Sequence, residues 1–289
     1  MARGYQPEEW EYQGTERGEQ LENGVLGVRT KTIKSGEYLE CEIFPIVIQD
    51  HQNREQRRKK STEKIKRQNK KNQRKKVTRL LNANFGPGDL LAHFTSRAEC
   101  SEEEFKKETR KFMRKLRARF RKAGVALKYL YVTEGTGAEG NRKWHIHMAL
   151  NGGALSRDEI EALWSCGLSR VDRVQDQEKG LAGFAAYITQ RKETQEKLLA
   201  HGWNRSRNLK DPEKSATVST SRFSRRATWK IEEAARRDDW TALKTIYAKK
   251  YPGYELIEKP EIRYSEYLPG AYVYAWLRKI KEPEKKRVR

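Results

Sequence analysis

The chain has 289 residues, 36% of them apolar, enough for one large packed domain or two small ones. Lys and Arg number 62 against 40 Asp and Glu, and a net charge of +22 points to a polyanionic partner. Three cysteines (Cys41, Cys100, Cys166) without a C-x-x-C argue against a disulfide framework or a zinc knuckle. No apolar run nears the ~18 residues of a membrane span, and the first ten residues lack a signal peptide's apolar stretch, so the expectation is a protein of the reducing cytoplasm with no membrane partner.

Residues 1–50 read as a turn-rich opening followed by a β-hairpin. Val25–Ile33 and Tyr38–Val47 are rich in β-branched and aromatic side chains, with turn chemistry at Lys34-Ser35-Gly36-Glu37. Residues 51–84 form a biased basic segment. Arg54 to Arg79 hold fourteen Lys or Arg and two acids, Glu55 and Glu63, a charge of +12. The run has neither Gly nor Pro, but its like charges three and four apart repel. It reads as a helix that phosphates would make firm, or with equal weight as a solvated linker.

Gly86-Pro87-Gly88-Asp89 breaks the chain and opens a compact region over residues 85–215. Leu90–Thr95 reads as a strand. Ser101-Glu102-Glu103-Glu104 is a capping-box pattern, and Phe105, Phe112, Met113, Leu116 and Phe120 follow at helical spacing up to Gly124. Leu127–Thr133 and Trp144–Leu150 read as strands joined by a Gly-rich loop, Gly135–Asn141. A second capping box, Ser156-Arg157-Asp158-Glu159, starts a helix through Trp164; Leu168–Val174 reads as a strand and Leu181–Leu199 as a helix. This order predicts an α+β domain, an antiparallel sheet with helices on one face. Residues 216–289 read as a helix-and-hairpin extension: a helix over Trp229–Lys250, a turn-rich stretch from Pro252 to Pro260, and two strands about Leu268-Pro269-Gly270.

The residues that bear chemistry centre on Trp144-His145-Ile146-His147-Met148. Two of the five histidines stand two apart on a predicted strand, so both imidazoles project from one face and supply half of a metal site. Glu134 ends the preceding strand. If the hairpin forms, its carboxylate comes alongside as a third ligand and leaves positions open for water and a phosphate oxygen; otherwise it only solvates the loop. His93 lies on another strand and reads as a packed histidine. Tyr187 sits on a predicted helix with Phe184 and Arg191 as helical neighbours. A nearby guanidinium favours phenolate over phenol and would make a nucleophile of it; packing at a core rim is the other reading. Tyr272, Tyr274 and Trp276 line one face of the last strand.

Taken in order, Leu90–Thr95, His145-Ile146-His147 and Tyr187 resemble the three motifs of the HUH endonucleases, specifically the rolling-circle replication initiators of bacterial plasmids, phages and mobile elements. The downstream Trp203-Asn204-Arg205-Ser206-Arg207-Asn208-Leu209 is similar to that group as well. Two departures stand out: His93-Phe94-Thr95 replaces the usual Thr-Leu-Thr, and Gln190 stands where the family carries Lys, with Arg191 or Lys192 as substitutes. The resemblance implies a ferredoxin- or RRM-like core and a nickase for single-stranded origin DNA. Mg2+ or Mn2+ would be held by His145, His147 and Glu134. Tyr187, helped by Arg191 and Lys192, would form a 5′-phosphotyrosine and release a 3′-hydroxyl for a host polymerase and helicase. Arg57, Arg58, Lys59, Lys60, Lys75 and Lys76 would grip DNA without regard to sequence, and Trp203, Arg205 and Arg207 would hold the single strand. Deleting Arg54–Arg79 is then expected to weaken binding and spare the chemical step. The same residues also suit a single-tyrosine relaxase or transposase, or a non-enzymatic nucleic-acid-binding regulator.

Overall fold

A computed structural model of the chain describes residues 25–48, 63–136, 143–189, 196–197, 203–214, 222–264 and 270–281. Arg57, Arg58, Lys59, Lys60, Arg191 and Lys192 lie outside them. The chain divides into two compact units, one over Ser61–Asp211 and one joining Met1–Lys60 to Pro212–Arg289.

The unit over Ser61–Asp211 is built on an antiparallel sheet. Its strands are β3 (Leu90–Ser96), β4 (Tyr129–Thr136), β5 (Lys143–Leu150), β6 (Gly167–Arg173), β7 (Glu196–Lys197) and β8 (Asn204–Arg205), in the order β6-β3-β5-β4-β7, with β8 also on β4. One face is packed by α2 (Glu102–Lys122) and α3 (Arg157–Ala162). Both helices start as the sequence predicts, with Ser101 and Ser156 closing capping boxes on Glu104 and Glu159. Phe105, Phe112, Leu116 and Phe120 are buried from α2 against Phe94, Trp144, Ile146 and Met148 of the strands. At about 1.5–3 kcal/mol for each large apolar side chain, this face supplies much of the unit's stability.

The α+β antiparallel architecture is the one expected, but the second face is not bare. α1 (Glu63–Asn84) and α4 (Ala182–Thr189) cover part of it, joining Val77, Leu80, Leu81, Ala185 and Ile188 to Leu130, Val132 and Ala149. The cause lies in the basic segment. Its charge dominates the composition, while three apolar residues near its end form a helical stripe that packs on the sheet. Residues 63–84 are therefore a helix with a docked end, not a linker. α4 is also shorter than the helix expected over Leu181–Leu199: its described part ends at Thr189, and Glu196–Lys197 pair with β4 instead.

The other unit is a second six-stranded antiparallel sheet, made of β1 (Val25–Ser35), β2 (Tyr38–Ile48), β9 (Glu213–Lys214), β10 (Tyr254–Leu256), β11 (Glu261–Tyr264) and β12 (Ala271–Lys279). The predicted N-terminal hairpin closes at Gly36-Glu37, where Gly36 has φ 62 and needs its missing Cβ. β2 pairs with β12 along Tyr38–Ile43, so the first and last segments of the chain share one sheet. Local patterning carries no trace of such a pairing. Two helices, α5 (Arg225–Arg236) and α6 (Trp240–Lys250), pack Ile231, Leu243 and Tyr247 on Leu39, Cys41, Val273 and Leu277. They replace the single helix expected over Trp229–Lys250, because Asp238 adopts φ 55 and the Asp239 carboxylate caps α6 by accepting from the Ala242 amide. Tyr272, Tyr274 and Trp276 alternate with the residues under these helices and so line the other face. There Tyr274 donates to Glu40 Oε2 at 2.6 Å and Trp276 is buried beside Tyr38.

Candidate active site

Register explains the site. On the face that α1 and α4 partly cover, His147 of β5 is directly opposite His93 of β3 and Val132 of β4. One row along, His145 is opposite Thr95 and Glu134. Directly paired residues project to the same side, so three imidazoles, one carboxylate and one hydroxyl gather on adjacent strands. The His93 and His147 rings stack with centroids 4.5 Å apart and planes 12° from parallel. His93 Nε2 lies 3.3 Å from His145 Nδ1, which also meets Thr95 Oγ1 at 3.1 Å. His147 Nε2 lies 3.9 Å from Glu134 Oε2.

Tyr187 closes the group. Its ring stands edge-on to His147 with centroids 4.9 Å apart. α4 places it there through its opposite side, where Ala185 and Ile188 are buried against α1 and the sheet. The buried Asn82 of α1 accepts from the Leu181 amide at 2.8 Å and fixes the start of the helix. Depth is graded across the site: Glu134 and His147 are 4% and 6% exposed, and Tyr187 is 55% exposed. The phenol is thus open to solvent while the carboxylate is buried.

Burial pushes the His93 and His145 pKa values down. Arg170 adds to the effect on His93, and His93 and Lys143 add to that on His145. Both rings are thus held neutral, which is the ligand form of imidazole. Among the described residues no three His, Cys, Asp or Glu already converge to ligation geometry. Imidazole and carboxylate are donor types that bind divalent cations. Imidazoles in this number favour manganese over magnesium, which demands oxygen ligands and keeps its waters.

The structure thus brings together Glu134, His145, His147 and Tyr187, and adds His93, for which a packing role was expected. The missed signal was the register: β3 and β5 run antiparallel, and their histidines coincide only once the strands are aligned. Arg170, opposite His93 on β6 and paired with Asp172 at 2.8 Å, escaped notice for the same reason.

The expected DNA contacts scatter. Lys76 is exposed, its ammonium 5.8 Å from the centroid of the Trp203 ring, while Lys75 and Trp203 are half-buried. Trp203 packs against the α1–α4 cluster, which makes it a core rim and not an open stacking platform. Arg205 and Arg207 are exposed at the sheet edge, and Arg205 pairs with Asp211 at 2.9 Å.

With this geometry in view, a family model described as replication-associated protein ORF2 matches residues 91–209, less than half of the chain. The matched stretch contains every residue of the histidine–tyrosine site. It supports a replication-associated protein of the initiator kind. No curated protein and no solved structure matches the chain. Among the described residues no helix is long and apolar enough to cross a membrane.

Proposed function

We propose that the protein is a site- and strand-specific DNA nickase that initiates rolling-circle replication. The observation that carries this reading is the Tyr187 ring against His147 on a sheet face shared with His93, His145 and Glu134, within the stretch similar to replication-associated proteins.

The Tyr187 hydroxyl attacks the scissile phosphorus. An O–P bond forms to the phenol and the bond to the 3′ oxygen breaks; the phenolic proton is lost and the departing oxygen gains one. The products are a 5′-phosphotyrosine and a 3′-hydroxyl from which a polymerase extends. The ester conserves the energy of the phosphodiester, so the strand can be rejoined. His93, His145, His147 and Glu134 would hold the cation, Mn2+ in preference to Mg2+. When bound, such an ion polarises the phosphate and offsets charge building on its oxygens. Arg191 and Lys192, four and five positions after Tyr187 in the sequence, would be the basic residues that assist it at the scissile phosphate. The sequence has no G-x-x-x-x-G-K-[ST] phosphate loop, so unwinding falls to a host helicase.

The test is to incubate the full chain with single-stranded origin oligonucleotides and Mn2+ and look for a covalent protein–DNA band. The expected band disappears in Tyr187→Phe and in His147→Ala. Binding without any adduct, with or without metal, would instead mark a non-enzymatic nucleic-acid-binding regulator. A primer end extended by polymerase separates replication from the excised, rejoined circle of a transposase.

A further inference from the structure

The same unit carries a groove of about 890 Å³ at the edge of its sheet, between the end of α2, the turn into β4 and the segment that begins with β8. Arg117 and Arg121 are four apart on α2 and share a face of it. Arg205 and Arg207 flank Ser206, which is buried, so alternation turns both arginines outward. The segment is firmly held. Ser206 N donates to Tyr129 O at 2.9 Å, Tyr129 N donates to Ser206 Oγ at 3.1 Å, and Asn208 Nδ2 donates to Leu127 O at 3.1 Å. Four arginines therefore line one concavity whose backbone walls are held in place, and no carboxylate residue is among its lining. Asp211 engages Arg205. Arg121 and Arg207 make no ion pair among the described residues.

The groove's chemistry selects its ligand. Guanidinium forks match phosphate oxygens. The ring in the groove, Tyr129, is 7% exposed, accepts from Arg117 Nη2 at 2.9 Å and offers no open face for a base. The volume far exceeds a single phosphate, which points to a polymer. Tyr129 lies five residues along β4 from Glu134, about 17 Å at strand rise. It also projects toward α2, on the side of the sheet away from the histidines. We infer that this groove takes the phosphodiester backbone of DNA flanking the strand presented to Tyr187, a second contact independent of sequence. The inference rests on DNA being the partner but not on the tyrosine chemistry.

The test is equilibrium binding by the full chain, without divalent metal, to a labelled single strand and to a hairpin with a duplex stem, read by fluorescence anisotropy across a salt series. Each lost phosphate contact lowers the slope of log affinity against log salt by about 0.7 for a single strand and about 0.9 for a duplex. Arg121→Ala/Arg207→Ala is therefore expected to flatten the slope by about 1.4 or about 1.8, with affinity reduced about tenfold or more. Arg121→Lys/Arg207→Lys keeps the slope. Loss on both probes assigns single-strand phosphates to the groove, and loss on the hairpin alone assigns a duplex. An unchanged slope and affinity on both probes would overturn the inference. Failure of the nickase reading shows separately, as a missing covalent adduct in the wild-type protein, which this equilibrium does not read.

Discussion

Gly135 stands between Glu134 and Thr136 on β4, directly opposite Trp144, the neighbour of His145. A Cβ at position 135 would meet three carbons of the Trp144 ring at 2.5, 2.7 and 2.8 Å, where ordinary contact begins near 3.4 Å. The ring would have to retreat by nearly 1 Å, and it has little room. Phe105 stacks on it with centroids 5.8 Å apart, its Nε1 donates to Cys100 O at 2.9 Å, and its backbone N donates to Ser96 Oγ at 2.9 Å. Overpacking a filled core costs about 1–3 kcal/mol, and loss of the indole hydrogen bond adds about 1 kcal/mol. Gly135→Ala is thus expected to destabilise this unit by about 2–4 kcal/mol and lower its urea midpoint by about 1–2 M. Because the displaced strands carry Glu134 and His145, covalent adduct formation should fall by up to about a hundredfold. Gly183→Ala is the control of opposite sign. It sits in α4 with nothing within 4 Å of its would-be Cβ, and alanine there should stabilise by about 0.5–1 kcal/mol. Equal midpoints for wild type and Gly135→Ala would refute the packing argument.

His93→Ala should raise the Mn2+ concentration for half-maximal adduct formation by about tenfold or more while leaving the Tyr187 ester as the product; an unchanged metal titration would return His93 to a packing role. In the other unit, burial raises the Glu232 pKa from 4.5 to about 7, against the lowering effects of the hydrogen bond from Tyr264 and of Arg236. A raised pKa means the folded chain holds its proton longer than the unfolded one. The stability this contributes is fully present below pH 4.5 and is lost as pH rises through 7, about 3 kcal/mol at most. Glu232→Gln should flatten urea stability across that window, and an identical pH profile would show that the carboxyl ionises freely when folded.

Much of this architecture was legible because it is written in short-range patterns. Both capping boxes, the tight turn at Gly36 and the β4–β5 pairing across the Gly-rich stretch follow from residues within a dozen positions of one another. The same holds for His145 and His147, whose common face needs only strand alternation. His93 and Arg170 were opaque because their relevance depends on which strands lie side by side and in what register, a property of distant segments. The split of the C-terminal helix had a local signal, Asp238-Asp239, but hydrophobic periodicity continues on both sides of it and masks it. The pairing of β2 with β12 had no signal at all.

The basic segment shows most clearly how composition can mislead about role. Read by charge, Arg54–Arg79 is a detachable handle for DNA, and its deletion should spare catalysis. In the structure Val77, Leu80 and Leu81 of α1 are buried on the sheet and Asn82 holds the first amide of the tyrosine helix. A deletion through Arg79 removes Val77 and the turns that register Leu80 and Asn82, so it should loosen Tyr187 as well as DNA. The physical consequence runs in the other direction too. Lys and Arg residues upstream in the sequence recur at three- and four-residue spacing and repel one another, which opposes helix formation there. Helix formation is cooperative, so relieving that repulsion stabilises the docked turns as well. On the proposed function, one helix would thereby join contact with DNA to the seat of Tyr187, and DNA binding would favour the placement of that tyrosine.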